Sequence, residues 1–315
     1  MRCSDEHLYI VKFRNNPQHP RVLANELLAT RLAEWAGLPV PVTMIVEVGK
    51  WLVKHTPELH VQLPHGVIQC QPGLQFGSRY VASPRDGPVF DYFPTEMLGR
   101  VQNLETFLGM LVVDKWTGNT DLRQAAFWRR RGEPTYTATF IDQGDCFNAG
   151  KWTFPDDPLR GVYTNNQVYA AVQGWESFEP WLSRIETMEH QIVWGLAREI
   201  PPEWYGGERN ELETLVVNLL RRRGAVRDLI GAFRASVRNP FPAWQCEAKG
   251  LSVFSRSRTA DRRSRLSTES LATFSQTLTQ RPRRLLRYLM SAVSYSRFPS
   301  TFLKPKLGKN WKYRK

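Results

Sequence analysis

The chain has 315 residues, of which 42% are hydrophobic and 23% charged, and no run approaches the ~18 apolar residues of a membrane-spanning helix. Its first segment carries acidic residues where a secretion signal has its apolar stretch, and its four cysteines form no CxxC pair, so we expect a reduced, cytoplasmic protein without structural zinc. The net charge of +13 resides in residues 246–315, which hold 17 basic and 3 acidic residues, so the charge does not indicate a nucleic-acid-binding core.

The first ninety residues are predicted to form a small β-rich unit with one helix. HLYIVKF alternates and is rich in β-formers, which predicts a strand with Lys12 near its end. RVLANELLATRLAEWAG has apolar residues at helical spacing and a stop signal at Gly37. VPVTMIVEVGKWLVKH is typical of two strands joined at Gly49, and residues 56–88 are expected to form loops around a short strand, SRYVA.

The next 150 residues are predicted to be mainly helical, with one embedded β-hairpin. NLETFLGMLVVDKWTG is a second amphipathic helix that ends at Gly118, and the loop NTDLRQ follows. The strands AAFWRR and TYTATFID flank a turn at residues 132–134. Residues 178–200 and 211–237 both have helical patterns and are separated by a break at Pro201.

Residues 246–315 have a different character. They are rich in Ser, Thr and Arg and have few residues for a core, so we expect a disordered or only locally helical tail. RPRRLLRYLMSAV within it has the pattern of a basic amphipathic helix that contacts nucleic acid or an anionic membrane surface. A solvated tail without a specific role is the alternative.

Polar residues of the core region follow an order that suits phosphoryl transfer. Lys12 lies on a strand, Glu26 on the next helix, Asp121 in a loop after a helix and Asp142 after a strand. Transfer from ATP needs a lysine on the phosphates, a glutamate that holds it, a carboxylate for the attacking hydroxyl and a carboxylate for magnesium. The order of these residues therefore predicts a kinase-like site.

Each of these residues also has a purely structural interpretation. A lysine at a strand end and a glutamate on a helix are usually solvated, Asp121 can cap the turn after Gly118, and Asp142 can accept bonds from nearby backbone amides. The combination favours the catalytic interpretation, and no single residue does. The chain lacks the GxxxxGK[ST] of P-loop kinases and the GxSxG of α/β-hydrolases, which disfavours both classes.

Four separated segments read YIVKF, NELLATRLAEWAGLPVP, DKWTGNTDLRQAAF and FIDQGDCFN. In this order and spacing they resemble the HipA-like kinase domain, a bacterial branch of the protein-kinase-like superfamily, over about residues 8–244. GNTD and IDQG are also similar to the corresponding loops of phosphatidylinositol 4-kinases. FGSRY and PPEWY fit the smaller, stand-alone members of the HipA-like group.

The resemblance implies an α+β, two-lobed protein-kinase-like fold with ATP and Mg²⁺ in the cleft between the lobes. Residues 1–93 would form a small, β-rich N-lobe that lacks its first hairpin. Residues 94–245 would form a mostly helical C-lobe with the catalytic and metal-binding loops, and residues 246–315 the basic tail. The hinge between the lobes is expected between Ser78 and Phe93.

Carried over residue by residue, the resemblance assigns a role to each polar residue. Lys12 is expected to bind the phosphates and Glu26 to hold Lys12, while Asp121 is the expected catalytic aspartate and Asp142 the expected magnesium ligand. The residues expected to line the ATP cleft are Ile10, Tyr80 and Phe140. The implied acceptor is a hydroxyl group, most simply a protein serine or threonine, with lipids and small molecules as alternatives.

Two departures from the family pattern favour a second hypothesis, a catalytically weak or inactive pseudokinase that serves as an interaction module. Where most relatives have a metal-binding asparagine, five residues after the catalytic aspartate, this chain has Ala126, and Gln124 is the nearest amide and the candidate catalytic-site residue that would serve in its place. The segment before Lys12, MRCSDEHLYIV, has no glycine and is too short for the Gly-rich hairpin that covers the phosphates in kinases. We therefore also expect an exposed edge on the first sheet.

Overall fold

The structure is a computed structural model that describes residues 1–63, 65–83 and 86–245, which belong to one compact unit. The described strands are β1 Tyr9–Lys12, β2 Thr43–Val48, β3 His60–Leu63, β4 Gly66–Gln69, β5 Gly73–Arg79, β6 Gln124–Trp128 and β7 Thr137–Ile141. The described helices are α1 Val22–Trp35, α2 Lys50–His55, α3 Thr106–Thr117, α4 Trp181–Thr187, α5 His190–Arg198, α6 Arg209–Arg222 and α7 Val226–Arg234.

The first part of the chain is a three-stranded antiparallel sheet with α1 packed against it. β5 is the central strand, between β1 and β2, and Phe76 is opposite Lys12 on one side and Ile45 on the other. α1 forms because its leucines recur at helical spacing, and Leu28 and Leu32 are completely buried. The sheet and α1 thus hold Lys12 and Glu26 on neighbouring rigid elements.

The structure corrects two predictions in this region. The segment after Gly49 forms α2 rather than a strand, because β2 takes β5 as its partner and only Val53 of α2 is buried. The central strand is Gly73–Arg79, whereas a short strand was expected at residues 78–82. Glycines are unfavourable in strands, so the two glycines of β5 make this strand hard to predict from the sequence. Gly77 is nevertheless required in β5, because an added Cβ would lie 2.5 Å from Cγ2 of Val46.

The second part is built around α3, whose residues are all buried. The antiparallel hairpin β6–β7 packs against α3 through Phe107, whose ring meets the ring of Phe140 edge-on at 4.9 Å. The predicted helical stretches are divided into α4 and α5 and into α6 and α7. Met188 and Glu189 separate the first two, Glu189 with extended backbone, and a short 3-10 turn, Arg223–Ala225, separates the second two.

The mixed α+β fold class is confirmed, with small sheets and several helices in the described residues. Within those residues no helix combines the length and the apolar content that a membrane crossing requires. The predicted boundary between residues 93 and 94 stays a prediction. The predicted disorder and amphipathic helix of residues 246–315 lie outside the described residues.

Candidate active site

Lys12, Glu26 and Asp142 meet in one ionic cluster although they are far apart in the chain. β1 supplies Lys12, the second turn of α1 supplies Glu26, and the chain leaves β7 directly into Asp142. The Lys12 ammonium donates to Oδ1 of Asp142 at 2.6 Å and to Oε1 of Glu26. The side chains of Lys12 and Asp142 retain 23% and 22% of their exposure, whereas that of Glu26 retains 3%. The cluster therefore opens to solvent at Lys12 and Asp142.

Burial and charge shift the pKa of each member. Burial alone would lower the pKa of Lys12, but the two carboxylates raise it above its ordinary value, so the ammonium stays charged. Burial raises the pKa of Glu26 despite the adjacent Lys12. Burial also opposes ionisation of Asp142, yet the Lys12 ammonium holds the pKa of Asp142 below its usual value. Asp142 is thus the ionised partner at the open side of the cluster.

The backbone around Asp142 is unusual as well. Asp142 has φ of 63°, in the left-handed region that costs free energy for residues with a Cβ. The next amide, that of Gln143, donates to Oε2 of Glu26 at 3.0 Å. Strained backbone of this kind persists where the surroundings determine it, and here Glu26 connects both Lys12 and the backbone after Asp142.

Asp121 and Gln124 lie beside this cluster, in the loop between α3 and β6 and at the start of β6. The amide group of Gln124 donates to Oδ2 of Asp142 at 2.9 Å and lies close enough to Asp121 to lower the pKa of that carboxyl in part. Burial raises the pKa of Asp121 above its usual value, and the nearby Asp142 adds to the rise. The structure thus brings together five predicted site residues, which are Lys12, Glu26, Asp121, Gln124 and Asp142.

The oxygen donors at this site suit Mg²⁺. Asp121 and Asp142 offer carboxylates and Gln124 an amide, and Mg²⁺ is commonly held by one or two carboxylates together with substrate phosphates and waters. Ala126 is buried on β6 opposite Thr139 and supplies no ligand. Over the described part of the chain, no three His, Cys, Asp or Glu side chains are close enough to hold a metal by themselves. The donor set therefore fits a metal that also binds a phosphate.

The predicted cleft-lining residues are divided between surface and core. Ile10 on β1 and Tyr80 directly after β5 are half-buried, and burial raises the pKa of the Tyr80 hydroxyl. Phe140 has no exposed surface and packs against Phe107 in the main core, so the structure places its ring away from any open cleft. Large apolar side chains on a central hairpin are recruited to the core, and the sequence did not reveal which face of β7 this was.

The segment before β1 is more structured than predicted. Arg2 pairs with Leu8 in an antiparallel bridge, and Met1 and Tyr9 exchange two backbone hydrogen bonds, with the N-terminal ammonium donating at 2.6 Å and the Tyr9 amide at 2.8 Å. This small turn covers the edge of β1 at Tyr9 alone, and β1 remains an edge strand in the order β1-β5-β2, as expected.

Sequence reasoning missed a buried network behind the two aspartate loops. Arg123 makes a two-pronged ion pair with Asp114 of α3, with Nε–Oδ2 and Nη2–Oδ1 distances of 2.9 and 2.5 Å. Arg123 also donates to the carbonyl of Ile141 at 2.8 Å. Asp114 accepts from Nδ2 of Asn119 at 2.9 Å, and Oδ1 of Asn119 accepts from the Asp121 amide at 3.0 Å. One carboxylate thus fixes the backbone on both sides of the site.

A signal for this network does exist in the sequence. In the segment LGMLVVDKW of α3, Asp114 and Lys115 are the only charged residues among apolar ones. Charged residues in such a helix are buried only when they have partners. Asp145 was missed as well. Burial raises its pKa to about 6, and the charges of Asp121 and Asp142 contribute to the rise.

Several solved structures have similar folds at low similarity. The Helicobacter pylori proinflammatory kinase CtkA matches with a TM-score of 0.42 and 14% identity, over 71% of this chain and 93% of that chain. HipA of Shewanella oneidensis MR-1, solved with HipB and operator DNA, gives 0.43 and 13%, over 72% and 60%. A Golgi casein kinase with Mn/ADP gives 0.41 and 11%, over 73% and 70%. At such identities and TM-scores, none of the three supports an argument about this chain.

The family comparison is more informative. No curated protein is significantly similar to the chain in sequence. The model of the family described as HipA-like kinase matches residues 1–127, a range that includes Lys12, Glu26, Asp121 and Gln124 and ends before Asp142. The resemblance to the HipA-like kinases that the motifs predict is therefore confirmed, on a match that spans residues 1–127.

Proposed function

We propose that the chain is an ATP-dependent kinase that transfers the γ-phosphoryl group to a hydroxyl, most simply that of a protein serine or threonine. The observation that carries the proposal is the contact of Lys12 with both Glu26 and Asp142, at a cluster that opens to solvent only on the Lys12 and Asp142 side. A structural ion pair needs no third charged group and no opening. A phosphate site needs both, because the nucleotide must reach a fixed cation.

The lysine end of the cluster binds the nucleotide in this proposal. Glu26 holds the Lys12 ammonium in place, and the charged ammonium neutralises phosphate oxygens as negative charge develops in the transition state. Asp142 and Gln124 would hold Mg²⁺, which supplies charge neutralisation on the phosphates. Ile10 and Tyr80 remain candidates for contacts with the nucleotide. Phe140 is no longer a candidate, because its ring is buried.

The aspartate loop handles the acceptor. Asp121 accepts the proton of the acceptor hydroxyl, whose oxygen forms a bond to the γ-phosphorus as the bond between that phosphorus and the β,γ-bridging oxygen breaks. Burial raises the pKa of Asp121 towards the range in which a carboxylate is an effective base. Gln124, hydrogen-bonded to Asp142 and adjacent to Asp121, keeps the two carboxylates at a fixed relative position.

The test is phosphoryl transfer by the full chain with Mg²⁺ and γ-labelled ATP, measured both to protein and to water. We expect transfer that Asp121→Asn abolishes. Asp228→Asn, an exposed aspartate on α7, is the matched control and should leave transfer unchanged. Wild-type transfer no greater than that of Asp121→Asn would overturn the proposal.

A pseudokinase is the second candidate, and Ala126 is the observation that favours it. Its methyl group is buried on β6 where relatives have a metal-binding asparagine, so one expected metal ligand is absent from that position. This alternative predicts nucleotide binding without transfer. Transfer that depends on Asp121 would exclude it.

A further inference from the structure

The chain after Asp142 takes a conformation that residues with a Cβ rarely adopt. Phe147, Asn148 and Ala149 are consecutive left-handed residues, with φ of 58°, 57° and 55°, and Trp152 follows with φ of 53°. Each such residue costs free energy, so a run of three persists only where outside contacts hold it. We call residues 144–152 the left-handed segment.

Asn25 of α1 makes a dense set of contacts to this segment. Its fully buried amide nitrogen donates to the carbonyl oxygens of Gly144 and Cys146, both at 2.8 Å, and of Ala149 at 3.0 Å. Its Oδ1 accepts the indole N–H of Trp152 at 2.8 Å. A single side chain thus uses its donors and its acceptor on four residues of the left-handed segment.

The other side of the segment is held by the end of α3. The amide of Phe147 donates to the carbonyl of Thr117 at 2.7 Å, and that of Asn148 donates to the carbonyl of Gly118 at 3.2 Å. The left-handed segment is therefore clamped between Asn25 and the helix that leads to Asp121.

Asn25 is the residue directly before Glu26. Glu26 contacts Lys12 and the amide of Gln143, so two adjacent residues of α1 bind the chain at five residues between Gln143 and Trp152. We propose that Asn25 is a positioning residue that holds the left-handed segment and so fixes Asp142 against Lys12. Its effect on catalysis rests on the proposed kinase function, but its effect on the segment does not.

The test combines amide hydrogen exchange with kinetics on the full chain. Asn25→Asp keeps the shape of the side chain but removes its donors, and Asn25→Ala removes all of its bonds. Thr30→Val changes another buried polar residue of α1 and is the matched control. Exchange of the amides of residues 146–151 should rise about tenfold or more in both Asn25 variants, because several buried carbonyls lose their donors. Exchange in α3 should stay unchanged.

The kinetics separate positioning from simple stabilisation. We expect kcat to fall about tenfold or more in Asn25→Asp while KM for ATP changes less, because Lys12 and Glu26 remain and only Asp142 loses its fixed place. Thr30→Val should change neither. Faster exchange in the segment with an unchanged kcat would overturn the positioning role.

The exchange result stands apart from the proposed function. If the wild type transfers no phosphate, the kinase proposal fails, and exchange in the segment alone decides whether Asn25 holds it. Unchanged exchange in the folded Asn25 variants would overturn the inference. Trp152→Phe removes the indole donor together with part of the ring, and it is the second variant if the Asn25 variants do not fold. Its residues 150–153 should exchange faster, and unchanged exchange there would likewise overturn the inference.

Discussion

Two ionic clusters contact the loops that carry Asp121 and Asp142, and they are built differently. In the first, which we call the shielded cluster, the Asp114 carboxylate and the Arg123 guanidinium form two parallel bonds. Both side chains are shielded from solvent, with 0% and 1% exposure. In the second, which we call the open cluster, the Lys12 ammonium binds the carboxylates of both Glu26 and Asp142. The side chains of Lys12 and Asp142, which face solvent, keep about a fifth of their exposure.

The difference in burial and charge between the two clusters indicates different roles, one structural and one in ligand binding. A buried pair with matched charges and satisfied donors fixes the backbone around it, and its removal is costly because one charge is left unpaired. A cluster with an extra carboxylate and an open side has unused capacity for a ligand. We therefore interpret Asp114 and Arg123 as the support of the loops, and Lys12 and Asp142 as the groups that meet the nucleotide.

The largest effect is expected in the open cluster. Asp142→Asn should lower phosphoryl transfer about 10³-fold or more, since a carboxylate that positions a metal is worth several kcal/mol in the transition state. The thermal midpoint should change little, because Lys12 keeps Glu26 as its partner. A variant that loses its fold together with its activity would contradict the distinction between the two clusters.

The shielded cluster should show the reverse pattern. Arg123→Met leaves the Asp114 carboxylate buried without its cation, and we expect a loss of about 3–5 kcal/mol in the free energy of unfolding, measured by urea denaturation. The double variant Asp114→Asn/Arg123→Met should recover part of this loss, because no charge then remains buried. A loss below about 1 kcal/mol in the single variant would place Arg123 among ordinary surface ion pairs.

Asp145 tests the electrostatics of the open side. Its folded pKa, raised to about 6, lies above the ordinary value of 3.8, so the folded state binds more protons than the unfolded state between about pH 4 and pH 6. Stability from this residue is fully present below about pH 4 and is lost as pH rises through 6. Asp145→Asn should therefore stabilise the protein at pH 7.5, by up to about 3 kcal/mol, and not at pH 4.

That difference is read from urea unfolding of the wild type and the variant at both pH values. Asp157→Asn, a more exposed aspartate that follows Asp145 in the chain, is a suitable control. Equal gains at pH 4 and pH 7.5 would show that the raised pKa of Asp145 is not the cause.

The smallest effect on stability is expected at Gly118, which lies in the chain between Asp114 of the shielded cluster and Asp121. Gly118 ends α3 between Asp114 and Asp121 with φ of 62°, and an added Cβ would lie 3.2 Å from Cδ1 of Phe154. Gly118→Ala should cost about 1 kcal/mol of stability, since alanine pays for the left-handed conformation that glycine adopts freely. Gly49→Ala, where φ is −69° and no atom lies within 4 Å of the added Cβ, should cost less in the same measurement.

The sequence predicted the open cluster better than the shielded one, for a physical reason. The order of Lys12, Glu26, Asp121 and Asp142 along the chain matches a family pattern, so their proximity could be predicted without coordinates. Asp114 is paired with Arg123 by tertiary packing, and no local pattern reveals which buried charge meets which.

The limits on the fold prediction have the same origin. The helices α1 and α3 were predicted because their apolar spacing is a local pattern. The central strand β5 was not predicted at its correct position, because it contains Gly77. That glycine is required by Val46 on a neighbouring strand, which the local sequence does not show. The three left-handed residues from Phe147 to Ala149 were unforeseen, because Phe147 and Ala149 do not favour that conformation by themselves and the contacts of Asn25 on α1 hold it.

The most direct test of the account is calorimetric titration of the full chain with ATP, with Mg²⁺ and with excess chelator. If the open cluster is a nucleotide site, the wild type binds Mg·ATP, affinity falls when the metal is removed, and Asp142→Asn loses the metal dependence while Arg123→Lys keeps it. Equal binding of ATP by the wild type and Asp142→Asn with and without Mg²⁺, or no binding by a folded wild type, would contradict the account.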